Sequence, residues 1–212
     1  MNIELFYRRL HSTKKDFITS EEFKSFCKSF NFTYTPTLQQ FIKRGYIVRI
    51  FRDFFYLKSP DEIMLNQLHR TTFDLVSRGL MFKGIGHWYF GLYTALKLNN
   101  MTHEYYPMHY VISDGLFRNS PIEIAGEKFN FIKLKPALVT FGIERNRYPY
   151  SNPEKTILDF VYLWNYRSIP RKKILLDISE YLSRLNRAKL LRYSVGFPKS
   201  VQGIVRDAYG RR

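Results

Sequence analysis

Over about the first sixty residues, apolar positions recur at the three- and four-residue spacing of helix faces, then switch to the tighter pattern of strands. Ile3, Phe6, Tyr7 and Leu10 make the first face. After the polar stretch His11–Asp16, the positions Phe23, Phe26, Cys27 and Phe30 make the second. That helix starts near Ser20, because Thr19 and Glu22 stand at capping-box spacing. A third helix is bounded by Thr35 as cap, Pro36 in the first turn and Gly45 just past the end. Leu38, Phe41 and Ile42 form its buried stripe, which leaves Thr37, Gln39, Gln40, Lys43 and Arg44 outward. Tyr46–Phe51 and Phe54–Lys58 then read as a hairpin around Arg52-Asp53. Three helices followed by a two-stranded hairpin is the order of a winged helix-turn-helix, assigned to residues 1–58.

Residues 59–212 read as a second, mixed α/β domain, so the fold class is α/β (α+β). Ser59-Pro60-Asp61-Glu62 opens a helix to about Ser77, a linker within 59–85 that Gly79, Gly84 and Gly86 interrupt. In the α/β core, 86–165, the pattern predicts a helix over Trp88–Leu98 and a strand over His109–Ser113. It predicts a hairpin from Pro121–Ala125 and Lys128–Leu134, and a strand over Val139–Ile143. Ser151-Asn152-Pro153-Glu154 opens a helix carrying Ile157, Leu158, Phe160, Val161 and Leu163. Residues 166–212 are helical and basic, with one helix over Pro170–Leu185.

Charge narrows the function classes. Lys and Arg number 34 against 18 Asp and Glu, a net charge of +16. Residues 1–59 hold 11 basic and 5 acidic side chains, 60–165 hold 11 and 10, and 166–212 hold 12 and 3. Both ends are basic and the middle is nearly neutral, which points to a polyanion such as double-stranded DNA. The 45% hydrophobic and 25% charged content excludes a disordered chain. One cysteine, Cys27, excludes an intrachain disulfide and suits a cytoplasmic home. No apolar run reaches membrane-spanning length, and Met1-Asn2-Ile3-Glu4 has no signal pattern, so no membrane association is expected.

The third helix is the candidate for reading bases. Glutamine pairs with adenine edges and Arg or Lys with guanine, and Gln39, Gln40, Lys43 and Arg44 supply that set. Thr33, Tyr34 and Thr35 are placed to hold phosphate near the helix start, and the outward Thr37 is counted with the DNA-contacting residues. Arg49 and Arg52 on the hairpin are expected to clamp the backbone or enter a minor groove, with Asp53 shaping the turn. Arg171, Lys172 and Lys173 crowd the positive end of a helix, which suits an extended footprint on the same duplex. Replacing all three would then flatten a plot of log affinity against log salt by roughly 2–3 units.

Catalytic patterns are weak. The five histidines, His11, His69, His87, His103 and His109, show no metal spacing, and no metal or other cofactor is expected. Gly84-Ile85-Gly86 is neither a dinucleotide fingerprint nor a phosphate loop. Asp114 and Glu123 lack the Glu-x-Lys that would complete a nuclease centre. No residue is assigned a catalytic role. A nucleic-acid-modifying enzyme and a charge-only architectural protein remain the rival classes.

Between Gly86 and Trp164 the chain resembles the AbiEi antitoxins of AbiE-type (type IV) toxin–antitoxin systems. The resemblance rests on Trp88 to Leu96, on Tyr110-Val111-Ile112-Ser113, and on the hairpin Ile122-Glu123-Ile124 to Phe129–Lys133. It continues through Phe141-Gly142-Ile143-Glu144 and is most specific at Ser151 to Asp159, where Asn152 and Thr156 replace the usual Asp and Ala. Asp159 is placed to pair with a basic group. The resemblance implies an AbiEi-like C-terminal domain behind a winged helix. It also implies a regulator that represses its own operon at promoter repeats. As an antitoxin, it would neutralise a nucleotidyltransferase-like toxin without a tight complex. A stand-alone regulator without a toxin shares the same expectations for fold.

Overall fold

Aromatic burial organises the N-terminal residues of the computed structural model, which describes residues 2–210. The order is α1 (Ile3–His11), β1 (Phe17–Thr19), α2 (Ser20–Ser29), α3 (Tyr34–Lys43), β2 (Ile47–Phe51) and β3 (Phe54–Leu57). Phe6, fully buried, has the rings of Phe23, Phe26, Phe30, Phe32 and Phe41 packed around it, several of them edge-on. Edge-to-face packing suits the ring quadrupole and fills a small core with few residues. The three strands form an antiparallel sheet in the order β1-β3-β2. The expected capping box at Thr19 is present: its hydroxyl accepts the Glu22 N–H, and the Glu22 carboxylate accepts the Thr19 N–H.

The linker helix expected to about Ser77 is two helices, α4 (Pro60–Met64) and α5 (Thr72–Phe82). Its cap at Ser59 is correct, but Glu62 ends the run by gathering donors from beyond it. Glu62 is buried and accepts the Ser59 N–H at 2.8 Å, the Tyr56 hydroxyl at 2.8 Å and the His69 N–H at 2.6 Å. The chain turns at Asn66, with φ of 49°, and Thr71 caps the second helix in a box with Asp74. Gly79 lies inside α5 rather than breaking it: a Cβ there would stand 2.6 Å from the Phe51 ring and 2.7 Å from Ile50, so only glycine lets α5 lie this close to β2. The first compact unit holds residues 2–84 together with 123–127.

Burial alone would push the Glu62 carboxyl up, but the His69, Ser59 and Tyr56 donors outweigh it and hold it below the usual carboxylate range. The stability this contributes is complete above the unfolded carboxylate value and is lost as pH falls through the folded one. Glu62→Gln is therefore expected to lower stability near neutral pH and to flatten its decline into acid. Urea midpoints measured from pH 7 to pH 3 check this.

The second unit holds 85–122 and 128–210. The elements that follow residue 85 are β4 (Trp88–Phe90), α6 (Leu92–Leu98), β5 (Met108–Ser113), β6 (Ile122–Ile124), β7 (Glu127–Lys133), β8 (Ile143–Arg145), β9 (Pro149–Ser151) and α7 (Pro153–Tyr166). Then follow α8 (Arg171–Ser179), α9 (Arg187–Ser194) and α10 (Lys199–Gly210). The strands make one mixed sheet in the order β6-β7-β5-β4-β9-β8, with β5 parallel to β7 and β4 parallel to β9. Ile112 and Ile132 of the sheet share a core with Leu158 and Val161 of α7 and with Ile174, Val201 and Ile204. Asn152 caps α7 by accepting the Lys155 N–H at 3.0 Å.

Three boundaries differ from the sequence pattern. Trp88–Leu98 is a strand and then a helix, broken at Gly91, where a Cβ would stand 2.5 Å from Ile112. Tyr89 and Phe90 are both fully buried, so this strand lacks the alternation that would separate it from a helix. The strand expected over Val139–Ile143 is displaced to Ile143–Arg145, after a 3-10 turn at Pro136–Leu138 and Gly142 at φ of 68°. The helix expected to Leu185 ends at Ser179. Met1, and Arg211 and Arg212 of the basic segment, lie outside the described residues.

Candidate nucleic-acid interface

Helix α3 turns one side chain inward that the sequence pattern placed outside. Thr37 is buried and its hydroxyl donates to the Thr33 carbonyl at 2.6 Å, so it is unavailable to a ligand. Thr33, not Thr35, is the N-cap, and neither makes a side-chain capping bond. Thr37 also faces Cys27, whose thiol burial pushes up to about 11, partly offset by the Thr37 hydroxyl. A thiol so held stays neutral and serves as packing. Thr35, Gln39, Gln40, Lys43 and Arg44 are exposed, and Ile42, expected in the buried stripe, is 38% exposed beside them.

The hairpin after α3 is short and braced. Phe51 and Phe54 are paired across Arg52-Asp53, and the register shifts between Arg49 and Phe51. The Asp53 carbonyl accepts the Ser20 N–H at 3.1 Å, and its carboxylate accepts the Ser20 hydroxyl at 3.2 Å. Tyr34 at the start of α3 donates its hydroxyl to Ser20 at 3.0 Å. The Tyr34 hydroxyl is therefore used within the fold rather than held out for phosphate. Ser20 thus ties the hairpin turn to the starts of α2 and α3, a role that sequence spacing gave no sign of. The Arg49 guanidinium lies 5.8 Å from the Phe55 ring centre, which holds it on the strand surface. Among the described residues, none of Lys43, Arg44, Arg49 and Arg52 has a carboxylate at ion-pair distance. These four cations, with the exposed amides of Gln39 and Gln40, can serve polar edges and phosphate oxygens.

The basic C-terminal segment is arranged differently. Arg171 binds Asp207 through Nε at 2.9 Å and through a terminal nitrogen at 2.6 Å. Lys173 pairs with Asp177 at 3.2 Å, and Lys189 with Glu154 at 3.0 Å. Arg184 donates to the Met101 carbonyl, and Arg187 lies over the Tyr209 ring. Of the three cations singled out at the start of α8, only Lys172 lacks a carboxylate among the described residues. Two of the three are thus engaged within the fold, Arg171 between α8 and α10 and Lys173 within α8, while Lys189 ties α9 to α7. The flattening of the salt slope expected from replacing all three falls to about 0.9, the share of one phosphate contact. A salt titration of Lys172→Ala on a bound duplex checks this without disturbing the Arg171–Asp207 pair.

No protein-family model matches the chain, and no curated protein matches it. A solved structure does. It is the crystal structure of the RV2827C protein from Mycobacterium tuberculosis, with a TM-score of 0.57 over 96% of this chain and 74% of that one. At 11% identity the likeness bears on fold, which is mixed α/β in this chain.

The second unit buries a cluster of titratable groups. Lys155, Asp159 and Tyr89 are fully buried in the second unit and form a closed ring. Lys155 donates to the Tyr89 hydroxyl at 2.7 Å and pairs with Asp159, and Tyr89 donates to Asp159 at 2.8 Å. The Lys155 ammonium also lies 5.0 Å from the Tyr89 ring centre and 5.4 Å from those of Phe141 and Phe197. Burial pushes Lys155 down and Asp159 up, and their mutual attraction opposes both shifts. Sequence reading gave Asp159 a basic partner without identifying it. The partner is the residue one turn earlier on α7. Nearby, Glu154 accepts the Asn186 N–H at 2.9 Å, so it joins α7 to α9 besides answering its own helix dipole. Among the described residues no group of His, Cys, Asp and Glu is placed to hold a metal, and no helix is long and apolar enough to cross a membrane.

Proposed function

We propose that residues 2–57 form a winged helix-turn-helix, that α3 enters the major groove, and that the chain is a sequence-specific DNA-binding regulator. The element order α1-β1-α2-α3-β2-β3 with sheet order β1-β3-β2 supports the motif. One observation carries the DNA reading. Gln39, Gln40, Lys43 and Arg44 stand on the exposed side of α3, followed at once by Arg49 and Arg52, with no carboxylate engaging any of the cations. Amides and guanidinium on one helix supply base readout, and the hairpin cations supply phosphate contacts.

The resemblance to AbiEi extends the proposal to a cytoplasmic autorepressor and antitoxin. The second unit would then carry protection against a nucleotidyltransferase-like toxin, without a stable complex. A reporter driven by the DNA upstream of the chain's own reading frame tests the first part. Repression that requires Gln39, Gln40 and Arg44 supports autoregulation, and an unrepressed reporter contradicts it. Co-expression with the adjacent reading frame tests the second part: rescue of growth supports an antitoxin, and a harmless neighbour leaves a stand-alone regulator.

A further inference from the structure

The second unit contains a cleft that neither the DNA reading nor the toxin reading uses. It encloses about 650 Å³, within the range of small-ligand sites. Its floor is the strand β7 and the segment after it, and one wall is the last turn and a half of α7. Lys133 and Lys135 rise from the floor, Tyr166 and Arg167 from α7, and Phe117 and Arg118 from the loop after β5. An aromatic residue is thus followed directly by an arginine on each of two walls, with two lysines between them. Among the described residues, no carboxylate lines the cleft. Among the described residues, Lys133, Lys135 and Arg167 have no ion-pair partner.

The aromatics strengthen the case. Tyr166 is 79% exposed and Phe117 60% exposed. Exposed aromatic faces beside cations are what stacking of a planar base beside its phosphates requires. Asn119 and Asn130 also line the cleft and bring amide donors and acceptors to a base edge. At the end of α7 the Ser168 and Ile169 N–H groups occupy two of the last carbonyls, those of Asn165 and Trp164.

We propose that this cleft binds a nucleoside phosphate, with the base against Tyr166 or Phe117 and the phosphates on Lys133, Lys135 and Arg167. The ligand is a free nucleotide or the end of a single strand, which share this chemistry. The site is independent of α3, so its failure would leave the DNA reading intact.

Calorimetry on the full chain tests this with ATP, inorganic tripolyphosphate and a six-residue oligothymidylate. Lys133→Ala with Lys135→Ala removes two charge-assisted contacts and is expected to weaken ATP about 100-fold, at roughly tenfold each. Tyr166→Ala should weaken ATP about tenfold and leave tripolyphosphate unchanged. Lys133, Lys135 and Tyr166 are all exposed, so folding should persist, checked by an unchanged thermal midpoint. Lys97→Ala with Arg145→Ala removes the same charge from exposed sites outside the cleft and should change nothing. Tighter binding of ATP than of the oligomer assigns a free nucleotide, and the reverse assigns a strand end; both require loss in the cleft variants. The proposal is overturned if ATP shows no saturable binding at millimolar concentration. It is equally overturned if the control pair loses as much as the cleft pair, which would leave only diffuse surface charge.

Discussion

Replacing Gln39, Gln40 or Arg44 with Ala should each lower affinity for a preferred duplex by roughly 1–3 kcal/mol, and for random DNA by less. The asymmetry follows from what each side chain offers. A glutamine amide reads both the donor and the acceptor of an adenine edge, and an arginine fork reads the two acceptors of guanine. Neither pairing is made on a mismatched sequence, so its removal costs less there. Lys43, Arg49 and Arg52 contribute differently, since a phosphate contact is indifferent to sequence. Replacing any of these should weaken all duplexes alike and reduce the salt slope by about 0.9. Thr37→Val is the internal control: its hydroxyl is turned inward to Thr33, so it should change stability and leave base preference as it was. Titrations of each variant on the preferred and a scrambled duplex at two salt concentrations separate these classes.

Lys155→Met or Asp159→Leu alone should destabilise the chain by about 3–5 kcal/mol, because each strands a fully buried partner charge. The ring is closed: Lys155, Asp159 and Tyr89 satisfy one another within a shell of aromatic side chains. Removing both charges should cost less than removing either one. The remaining penalty then belongs to the Tyr89 hydroxyl, about 1–3 kcal/mol for a buried polar group left without its partner. Adding Tyr89→Phe should recover most of that. Urea unfolding followed by circular dichroism gives the four stabilities. Additive losses across the series would mean that the three groups do not act as a unit. A single variant losing under about 1 kcal/mol would mean that water reaches the site.

Local rules made much of this fold readable in the sequence, and non-local packing hid the rest. The caps at Thr19, Ser59 and Asn152 involve neighbours three residues apart, so spacing alone identifies them. The strand Trp88–Phe90 was hidden because both of its faces are covered, which erases the alternation that marks a strand. The division of α4 from α5 depends on Glu62 reaching Tyr56 and His69, and composition within the run carries no trace of that. On the candidate interface, Gln39, Gln40, Lys43 and Arg44 lie on the exposed side that helical periodicity gave them, whereas Thr37 does not. A threonine one position before the buried Leu38 falls at the edge of the apolar stripe, where periodicity assigns no side. In the basic C-terminal segment, Asp207 and Asp177 pair with Arg171 and Lys173. Asp207 lies 36 residues from Arg171 in the chain, so spacing gave no sign of that pair.

Selection of bound duplexes from a random DNA library, with the full chain at near-physiological salt, tests the central claim most directly. The account predicts enrichment of one motif over successive rounds, and loss of that motif when Gln39, Gln40 and Arg44 are replaced together while weak binding to bulk DNA persists. A library that stays random with the wild-type chain, or a motif unchanged in the triple variant, would contradict a base-reading role for α3.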